Sequence, residues 1–357
     1  MVSAFRVPPE YAGMRLDRFI HQELKRTSRT RAQLIVRVSA FDAEGRPKRP
    51  SDRVRAHDHV FLWRAPWDEE QPEEELAVLF EDAHLLAVDK PPNVPVHPSA
   101  RYYRSTVVKL LEAARPGETH YLAHRLDKET SGVLLLTKTA EADRAVKRIF
   151  AGGSADPAVK PPKIRKRKAE RLAAAVAAGA LPPPPRPTRT DEVEKVYLAI
   201  ARGAITEERF EVDAPLEEDP SPLRVKMRVA RPGEGLVART RFEVIERRAH
   251  PSDPVRAYTL VRCTLETGRQ HQIRVHLASI GHPIVGDKLY GGDDRLFARG
   301  ADGELTAEDH EILELPRQAL HAHLLGMRHP IELDRRVRIV SPLAADLQAF
   351  WDGLTHG

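Results

Sequence analysis

The sequence has a single cysteine, no long hydrophobic run and no signal-peptide pattern. Because Cys263 is alone, disulfides cannot stabilise the chain, and its alternating, strand-like surroundings predict a small buried side chain rather than a nucleophile. No apolar segment approaches the roughly 20 residues of a membrane-spanning helix. We therefore expect a cytoplasmic protein that does not bind membranes.

What the sequence does contain is charge and enough apolar residues for a core. The 357 residues are 41% hydrophobic, which suffices for a sizeable core and indicates more than one domain. The formal net charge of +5 favours an acidic partner, and nucleic acid is the commonest one. Charge alone does not decide between nucleic acid and other acidic partners.

The first 66 residues predict a small α+β domain with a basic surface. Leu16, Phe19 and Ile20 follow helical spacing, a second helix starts after a Ser or Thr cap in "TSRTRAQLIV", and a short strand pair follows. Basic residues around these helices would contact phosphates; the alternative is a solvated basic face on an adaptor domain. The candidate RNA-binding residues in this domain are Arg15, Arg18, Arg29 and Arg31.

Composition divides the rest of the chain. The acidic, proline-containing segment 67–75 has no periodicity and predicts a linker, so we expect a second domain over residues 76–350. An insertion at 152–189 interrupts that domain with a basic tract, an alanine-rich helical segment and a polyproline tail. The insertion is either a positive arm that crosses bound RNA or a solvated, partly disordered excursion.

The second domain is predicted to begin with a hairpin and a rigid loop. Two apolar runs bracket "EDAH", and the prolines of "DKPPNVPVHP" then fix the backbone. Asn93 stands where such a loop needs a left-handed residue. A helix is predicted to begin near Val107 and to stop at Pro116 and Gly117.

The stretch "AHRLDKETSGVLLLTK" places Asp127 beside one of the most apolar runs in the chain. Residues 132–138 predict a buried strand followed by a helix cap at Thr139, so the preceding residues form a loop at the edge of the core. Burial would raise the pKa of a carboxyl there unless a cation or hydrogen-bond donors favour its ionised form. The alternative is a structural ion-pair turn made by His124, Arg125 and Asp127.

A second motif, "LETGRQHQIRVHLASIGHPIVGDKLYGG", predicts a helix that starts among basic residues. Thr267 and Gln270 have the spacing of a capping box, and Ile273 lies on the apolar face of the helix. Arg269 and Arg274 stand at or near the helix start. That position suits the binding of anions and also keeps a carboxylate ionised.

These motifs resemble those of the RluA-type pseudouridine synthases. The resemblance rests on "HRLDKETSG" with "VLLLTK", on the second motif, and on "EKVYLAIARG", "ARTRFEV" and "LHAHLLGMRHPI", in order over residues 76–150 and about 190–345. It implies an α+β catalytic domain with a mixed, mainly antiparallel sheet flanked by helices. The amino-terminal residues resemble the α-L type RNA-binding module, although their later part departs from the usual glycine-rich pattern.

The resemblance also implies roles for single residues. Asp127 matches the aspartate that acts on a flipped-out uridine, at either the glycosidic carbon or the uracil ring. Arg125 matches the arginine that fills the space left by the uridine, and Tyr197 matches the tyrosine that packs against the base. Arg274 is the expected cation beside Asp127, with Arg269 as the weaker candidate. Further candidate RNA contacts are His124 and Arg269.

The implied reaction isomerises uridine to pseudouridine in ribosomal or transfer RNA. It involves no redox change and no net hydrolysis, so we expect no cofactor. We also expect no metal, since no Cys, Asp or Glu stands at ligand spacing with His321 and His323. We expect a monomer that binds structured RNA. The alternative is a non-catalytic RNA-binding or ribosome-assembly factor on the same fold, whereas a DNA-binding regulator would need a recognition helix and a dimer surface that the sequence does not show.

Deletion of residues 152–189 tests the hypothesis that the insertion binds RNA. If the insertion is a phosphate-binding arm, the plot of log affinity against log salt concentration becomes shallower in the deletion variant, because fewer counterions are released on binding. Filter binding of RNA by both proteins over a range of salt concentrations gives the two slopes. Equal slopes would identify the insertion as a solvated excursion.

Overall fold

A computed structural model describes residues 2–24, 29–63, 75–98, 102–152, 193–220, 225–231 and 233–356. The chain divides into two compact units, Met1–Glu70 and Gln71–Gly357. Most of the acidic segment 67–75 and of the insertion 152–189 lies outside the described residues. The predicted linker, insertion and domain limits therefore stay predictions.

The first unit combines two helices with a small antiparallel sheet. Its elements are β1 (Val2–Arg6), a 3-10 turn (Pro9–Tyr11), α1 (Leu16–Glu23), α2 (Arg29–Ser39), β2 (Ala40–Phe41) and β3 (His59–Trp63). Strand β3 lies between β1 and β2. The strand pair predicted after the two helices is confirmed as β2 and β3. Strand β1 was not predicted, because its mostly exposed residues give no apolar alternation.

Helix α1 forms because its apolar residues share one face. Leu16, Phe19 and Ile20 are fully buried, and they pack with Val60 and Leu62 of β3 in the core of this unit. This burial confirms the predicted first helix. The predicted Ser or Thr cap of the second helix lies outside the described residues.

The second unit is built on one large sheet. Its strands are β4 (Val78–Glu81), β5 (Leu85–Lys90), β6 (Tyr121–Leu122), β7 (Ser131–Thr137), β8 (Val193–Arg202), β9 (Arg209–Asp213), β10 (Leu216–Glu218), β11 (Met227–Val229), β12 (Arg239–His250), β13 (Asp253–Leu265), β14 (Leu320–Arg328), β15 (Arg336–Val340) and β16 (Thr355–His356). Its helices are α3 (Val107–Ala114), α4 (Ala140–Phe150), α5 (Gln272–Ser279), α6 (Asp294–Asp302), α7 (Ala307–Leu313) and α8 (Ala345–Asp352).

The large sheet is mixed but mainly antiparallel. Eleven strands follow the order β16-β12-β13-β8-β14-β7-β5-β4, with β9 beside β12, β15 beside β14 and β6 beside β7, while β10 and β11 pair separately. Among the described strands, β7 and β14 form the parallel pair. This architecture confirms the predicted α+β class and sheet type.

Strand β7 is covered on both faces, which explains its nearly continuous apolar sequence. Val133 and Leu135 face a cluster that includes residues of α4, and Leu134 and Leu136 face a cluster that includes residues of α3. All seven residues of β7 are buried, so the predicted strand is confirmed. The cap is confirmed as well, because the hydroxyl of Thr139 accepts the Ala142 amide at 3.2 Å.

The proline loop after β5 also follows the prediction. The hairpin β4–β5 is antiparallel. Asn93 has a φ of 63°, in the left-handed region that asparagine tolerates better than most residues. The loop after β5 therefore turns at the predicted residue and leads toward α3.

Gly132 allows β7 and β14 to approach each other. Its φ is +105°, and a Cβ there would lie 2.3 Å from the carbonyl oxygen of Ala322. Ala322 is its partner in the parallel register. This close approach sets the loop before β7, which carries Asp127, beside the chain segment that enters β14.

Substituting Gly132→Ala should lower the free energy of unfolding by about 2 to 5 kcal/mol, since the backbone conformation and the overlap with Ala322 both oppose a side chain. Gly117→Ala is the matched control, because Gly117 has a φ of +87° but nothing within 4 Å of its Cβ position. The control should lose only about 1 to 2 kcal/mol. Urea denaturation measures the free energy of unfolding of both variants. Equal decreases would show that the backbone shifts to remove the contact between the new Cβ and Ala322.

Candidate active site

Asp127 lies in the loop between β6 and β7, where its carboxylate meets a buried arginine. Its Oδ2 accepts a hydrogen bond from Nη1 of Arg274 at 2.9 Å, and also from Nε2 of Gln318 at 3.3 Å. The Asp127 side chain is 33% exposed, whereas that of Arg274 is 9% exposed. The carboxylate is thus fixed from the inside and reachable from the outside.

Arg274 is itself held by a second carboxylate. Its Nε and Nη2 donate to the two oxygens of Asp287 at 2.7 and 2.8 Å, a bidentate arrangement that fixes the plane of the guanidinium. Asp287 is fully buried, and its Oδ1 also accepts the backbone amides of Leu289 and Tyr290 at 2.9 and 3.0 Å. Of the two candidate cations, Arg274 and not Arg269 lies against Asp127.

The charges of this cluster favour an ionised Asp127. Burial alone would raise the pKa of Asp127, but the charges of His271 and Arg274 and the hydrogen bonds from Arg274 and Gln318 lower it below its ordinary value. Burial lowers the pKa of His271, so this imidazole is largely neutral near pH 7. Burial opposes the charge of Arg274, but Asp287 and Asp127 raise its pKa. Arg274 is therefore the permanent cation beside Asp127.

Lys90 connects the proline loop to the Asp127 loop. Its buried ammonium donates to the carbonyl oxygens of Pro91, Val94 and Lys128 at 2.7, 2.8 and 2.9 Å. Burial lowers the pKa of Lys90 to about 7, and the charge of Arg317 adds to this effect. Three carbonyl acceptors match the three hydrogens of an ammonium. The contact to Lys128 fixes the backbone one residue after Asp127.

Gln318, just before β14, and Lys288, after α5, hold the other side of the loop. The Gln318 side chain donates to the hydroxyl of Thr130 at 2.7 Å, and its backbone amide donates to Glu129 at 3.1 Å. Lys288 pairs with Glu129 at 2.7 Å. The loop that carries Asp127 is therefore restrained along its length.

Tyr197 lies on β8, with its side chain half-buried between two apolar clusters of the second unit. Burial raises the pKa of Tyr197, and the negative charge of Asp127 adds to this effect. The phenol is thus uncharged at neutral pH. Tyr197 is therefore close enough to Asp127 for an electrostatic interaction between the two side chains.

His124 does not have the character expected of an RNA contact. Its Nε2 accepts the backbone amide of Leu135 at 3.0 Å, and its ring packs edge-on against Phe150. Burial lowers the pKa of His124 to about 3, with a further effect from Lys195. A neutral ring whose Nε2 is already bonded to the core cannot provide a positive charge for phosphate, so this prediction is corrected to a structural role.

The other candidate RNA contacts lie on two surfaces. Arg125 is exposed, and it forms no ion pair or hydrogen bond with the residues that the structure describes. Arg269 is exposed and donates to the carbonyl oxygen of Val237. In the first unit, Arg15 pairs with Asp17 at 3.0 Å. Arg18 and Arg29 are exposed, and the side chain of Arg31 lies outside the described part of the structure.

The predicted capping box at Thr267 and Gln270 is wrong. Helix α5 begins only at Gln272, and the residue before it, His271, adopts a left-handed conformation without a side-chain cap. The Thr267 hydroxyl instead accepts the Arg239 amide at 2.9 Å and donates to Gln272 at 2.8 Å. This hydroxyl therefore ties the turn to β12 and does not cap the helix.

Several residues of the site were not predicted: Lys90, His271, Asp287, Tyr290 and Gln318. Asp287 stood in the motif "GHPIVGDKLYGG", where an acidic residue between glycine turns could have been matched to the predicted cation. Lys90 ended a buried apolar strand, which is an unusual place for a lysine. Nothing local marked Gln318, because its partners are about 190 residues away in sequence.

Within the described ranges, the side chains form no group of three or more His, Cys, Asp or Glu residues suited to a metal ion. None of the helices in those ranges has the length and apolar character that a membrane crossing requires.

The chain is similar in sequence to a protein family and to relatives of known name. The family model described as RNA pseudouridylate synthase matches residues 84–163 and 186–279. Ribosomal large subunit pseudouridine synthase D of Xanthomonas campestris is 32% identical over 98% of this chain and 91% of the relative, and that of Nitrosomonas europaea is 31% identical over 98% and 87%. The solved structure "Human RNA Pseudouridylate Synthase Domain Containing 4" is 22% identical, with a TM-score of 0.48 over 76% of this chain and 90% of that chain.

The chain belongs to the RNA pseudouridylate synthase family and, within it, to the RluA type. It is an RNA pseudouridine synthase, an isomerase whose substrate is RNA. The predicted family and reaction are confirmed. The alternative of a non-catalytic RNA-binding or ribosome-assembly factor is not supported by these relatives.

Substituting Arg274→Lys should lower kcat by about 100-fold with little change in KM, because a lysine cannot donate to Asp127 and Asp287 in the planar geometry of a guanidinium. Release of tritium from RNA that carries [5-³H]uridine measures the rate. Arg256→Lys is the matched control on the exposed surface, where its ion-pair distances are 3.8 and 3.9 Å. Full activity of Arg274→Lys would show that charge alone suffices.

Proposed function

We propose that this pseudouridine synthase modifies uridines in large-subunit ribosomal RNA, with Asp127 as its catalytic residue. The substrate proposal is supported by the name that both bacterial relatives carry and by the near-complete length over which they match. Transfer RNA, the other substrate considered from the sequence, has no comparable support among these relatives.

The single observation that supports Asp127 is the state of its carboxylate. Its side chain is 33% exposed, and one of its oxygens accepts a hydrogen bond from the buried Arg274 at 2.9 Å, which favours the ionised form. A nucleophile or base has to be unprotonated and reachable at once, and buried carboxylates rarely combine both properties without a fixed cation. Asp127 combines them.

The reaction exchanges one bond between uracil and ribose for another. The bond from N1 of uracil to C1′ of ribose breaks, and a bond from C5 to C1′ forms. A proton leaves C5 and N1 gains one, so substrate and product are isomers. Asp127 acts either at C1′ or on the uracil ring, and the ionised carboxylate serves both routes.

Two neighbours of Asp127 fit the handling of a flipped nucleotide. The neutral, half-buried ring of Tyr197 offers a surface for the uracil. The exposed guanidinium of Arg125 stands two residues before Asp127 and is free to replace the extruded base in the stack. Base flipping places the target atom at the carboxylate at the expense of local stacking in the RNA.

The first unit is proposed to add RNA affinity. Arg18 and Arg29 are exposed there, and Arg15 keeps part of its guanidinium exposed while it pairs with Asp17. Arg269 adds an exposed charge in the second unit.

We propose that the enzyme acts as a monomer in the cytoplasm.

Pseudouridine mapping in cells that lack this protein tests both parts of the proposal. A site in large-subunit ribosomal RNA should disappear, and the intact chain or the control Asp352→Asn should restore it, since Asp352 is an exposed carboxylate on α8. Asp127→Asn should fail to restore it, because an amide is neither anionic nor basic. A lost site in transfer RNA would replace the substrate proposal, and rescue by Asp127→Asn would contradict the catalytic role.

A further inference from the structure

The two oxygens of Asp127 have different surroundings. Oδ2 accepts hydrogen bonds from Arg274 and Gln318. Oδ1 accepts none from the residues that the structure describes, and it faces Nε2 of His271 at 3.8 Å. If Asp127 is catalytic, as proposed above, Oδ1 is the oxygen available to the substrate.

His271 is held in place by Tyr290. The Met227 amide donates to the Tyr290 oxygen at 2.8 Å, and the same oxygen lies 2.9 Å from Nδ1 of His271. Because burial raises the pKa of Tyr290, its hydroxyl keeps its proton and can donate it to Nδ1. The imidazole proton then resides on Nε2, which is the nitrogen that faces Oδ1 of Asp127.

The backbone at His271 supports a positional role. His271 has a φ of 55°, a left-handed conformation that few residues other than glycine adopt, and it directly precedes α5. Its side chain is only 11% exposed. A strained, enclosed residue beside the site is typical of positions where the surrounding structure fixes a functional group.

We propose that His271 is a positioning residue that presents Oδ1 of Asp127 to the uridine, and that only its neutral form does so. At 3.8 Å the neutral Nε2–H lies beyond hydrogen-bond distance, so the imidazole borders Oδ1 and leaves its lone pairs available. A protonated imidazole would draw Oδ1 into a direct ion pair, as Arg274 already does with Oδ2. Both oxygens would then be engaged by the protein, and the carboxylate would be a weaker nucleophile and base.

The charges around His271 set the pH range in which this matters. Burial lowers the pKa of His271; Asp127 on the loop and Asp287 after α5 oppose this shift, and Arg274 on α5 adds to it. Among the described residues, Tyr290 is a further ionisable neighbour and keeps its proton, and the ammonium of Lys226 lies 5.8 Å from the centre of the Tyr290 ring. His271 therefore gains its proton below its ordinary pKa of about 6.5, and Asp127 would gain one only below about 3.9. A decrease of activity with falling pH between about 6.5 and about 3.9, the acidic limb of the pH profile, is therefore assigned to the protonation of His271.

The test is the pH dependence of kcat for tritium release from a large-subunit ribosomal RNA transcript that carries [5-³H]uridine. We expect kcat of the intact enzyme to fall by more than about 2-fold as the pH decreases from 7.5 to about 4, with KM nearly constant, because His271 gains its proton below its ordinary pKa. His271→Gln keeps a side-chain N–H but cannot be protonated, so its loss over the same range should be under about 2-fold. His282→Gln, whose ring contacts the Arg202 carbonyl and not Asp127, should keep the original limb.

Tyr290→Phe provides a second variant that preserves the packing. Loss of the hydroxyl that donates to Nδ1 removes support for the neutral imidazole, so the acidic limb should move to higher pH. An unmoved limb in both His271→Gln and Tyr290→Phe would overturn the inference. Asp127→Asn in the same assay separates the two proposals: activity of that variant would contradict the catalytic role itself, whereas its inactivity together with an unmoved limb would contradict only the role of His271.

Discussion

The site depends on one buried guanidinium, that of Arg274, which joins two carboxylates from distant parts of the chain. Removing an arginine from water is costly unless opposite charges and hydrogen bonds surround it. Asp287 provides both in a bidentate pair, and two backbone amides stabilise Asp287 in turn. Because Nε and Nη2 of Arg274 donate to Asp287, Nη1 is the nitrogen that donates to Asp127 and fixes its position. The position of the exposed carboxylate is thus set by an ion pair that is almost completely buried.

The same constraint explains why the loop around Asp127 is bound from several sides. An arginine can hold a carboxylate only if the backbone that carries the carboxylate stays still. Lys90 secures the carbonyl of Lys128, and Gln318 secures Thr130 and the carboxylate itself. These contacts are possible because Gly132 lets β7 and β14 run side by side at close range. The position of the Asp127 loop therefore depends on the close packing of β7 against β14.

Sequence alone was informative where the cause of a structure is local. The apolar run that became β7, the cap at Thr139 and the left-handed Asn93 each depend on a few neighbouring residues, and each prediction is confirmed. The capping box failed although its spacing was right. Thr267 has a better partner in Arg239, which is 28 residues away. A local motif competes with contacts that only the folded chain supplies.

Some residues of the site could be predicted from the sequence and others could not. Asp127 and its cation followed from the motifs that carry the resemblance, whereas Lys90 and Gln318 act through contacts with segments far from them in sequence. His124 failed for a related reason. It stands one residue before an exposed arginine, but its ring turns inward to the amide of Leu135. In an extended segment, neighbouring side chains point to opposite sides, so adjacency to a functional residue does not imply a shared role.

The exposed fraction of the charged groups decreases from Asp127 to Arg274 to Asp287, and this order bears on the proposed catalytic role of Asp127. The exposed fraction is 33% for Asp127, 9% for Arg274 and zero for Asp287. When RNA covers the site, the carboxylate of Asp127 loses the water around it, which would normally favour its protonated form. The attraction to Arg274 strengthens at the same time, because the medium between the two charges becomes less polar. Since Arg274 is already desolvated and fixed by Asp287, no further reorganisation opposes this gain. If Asp127 acts on the uridine as proposed, it can therefore remain ionised when the substrate covers it.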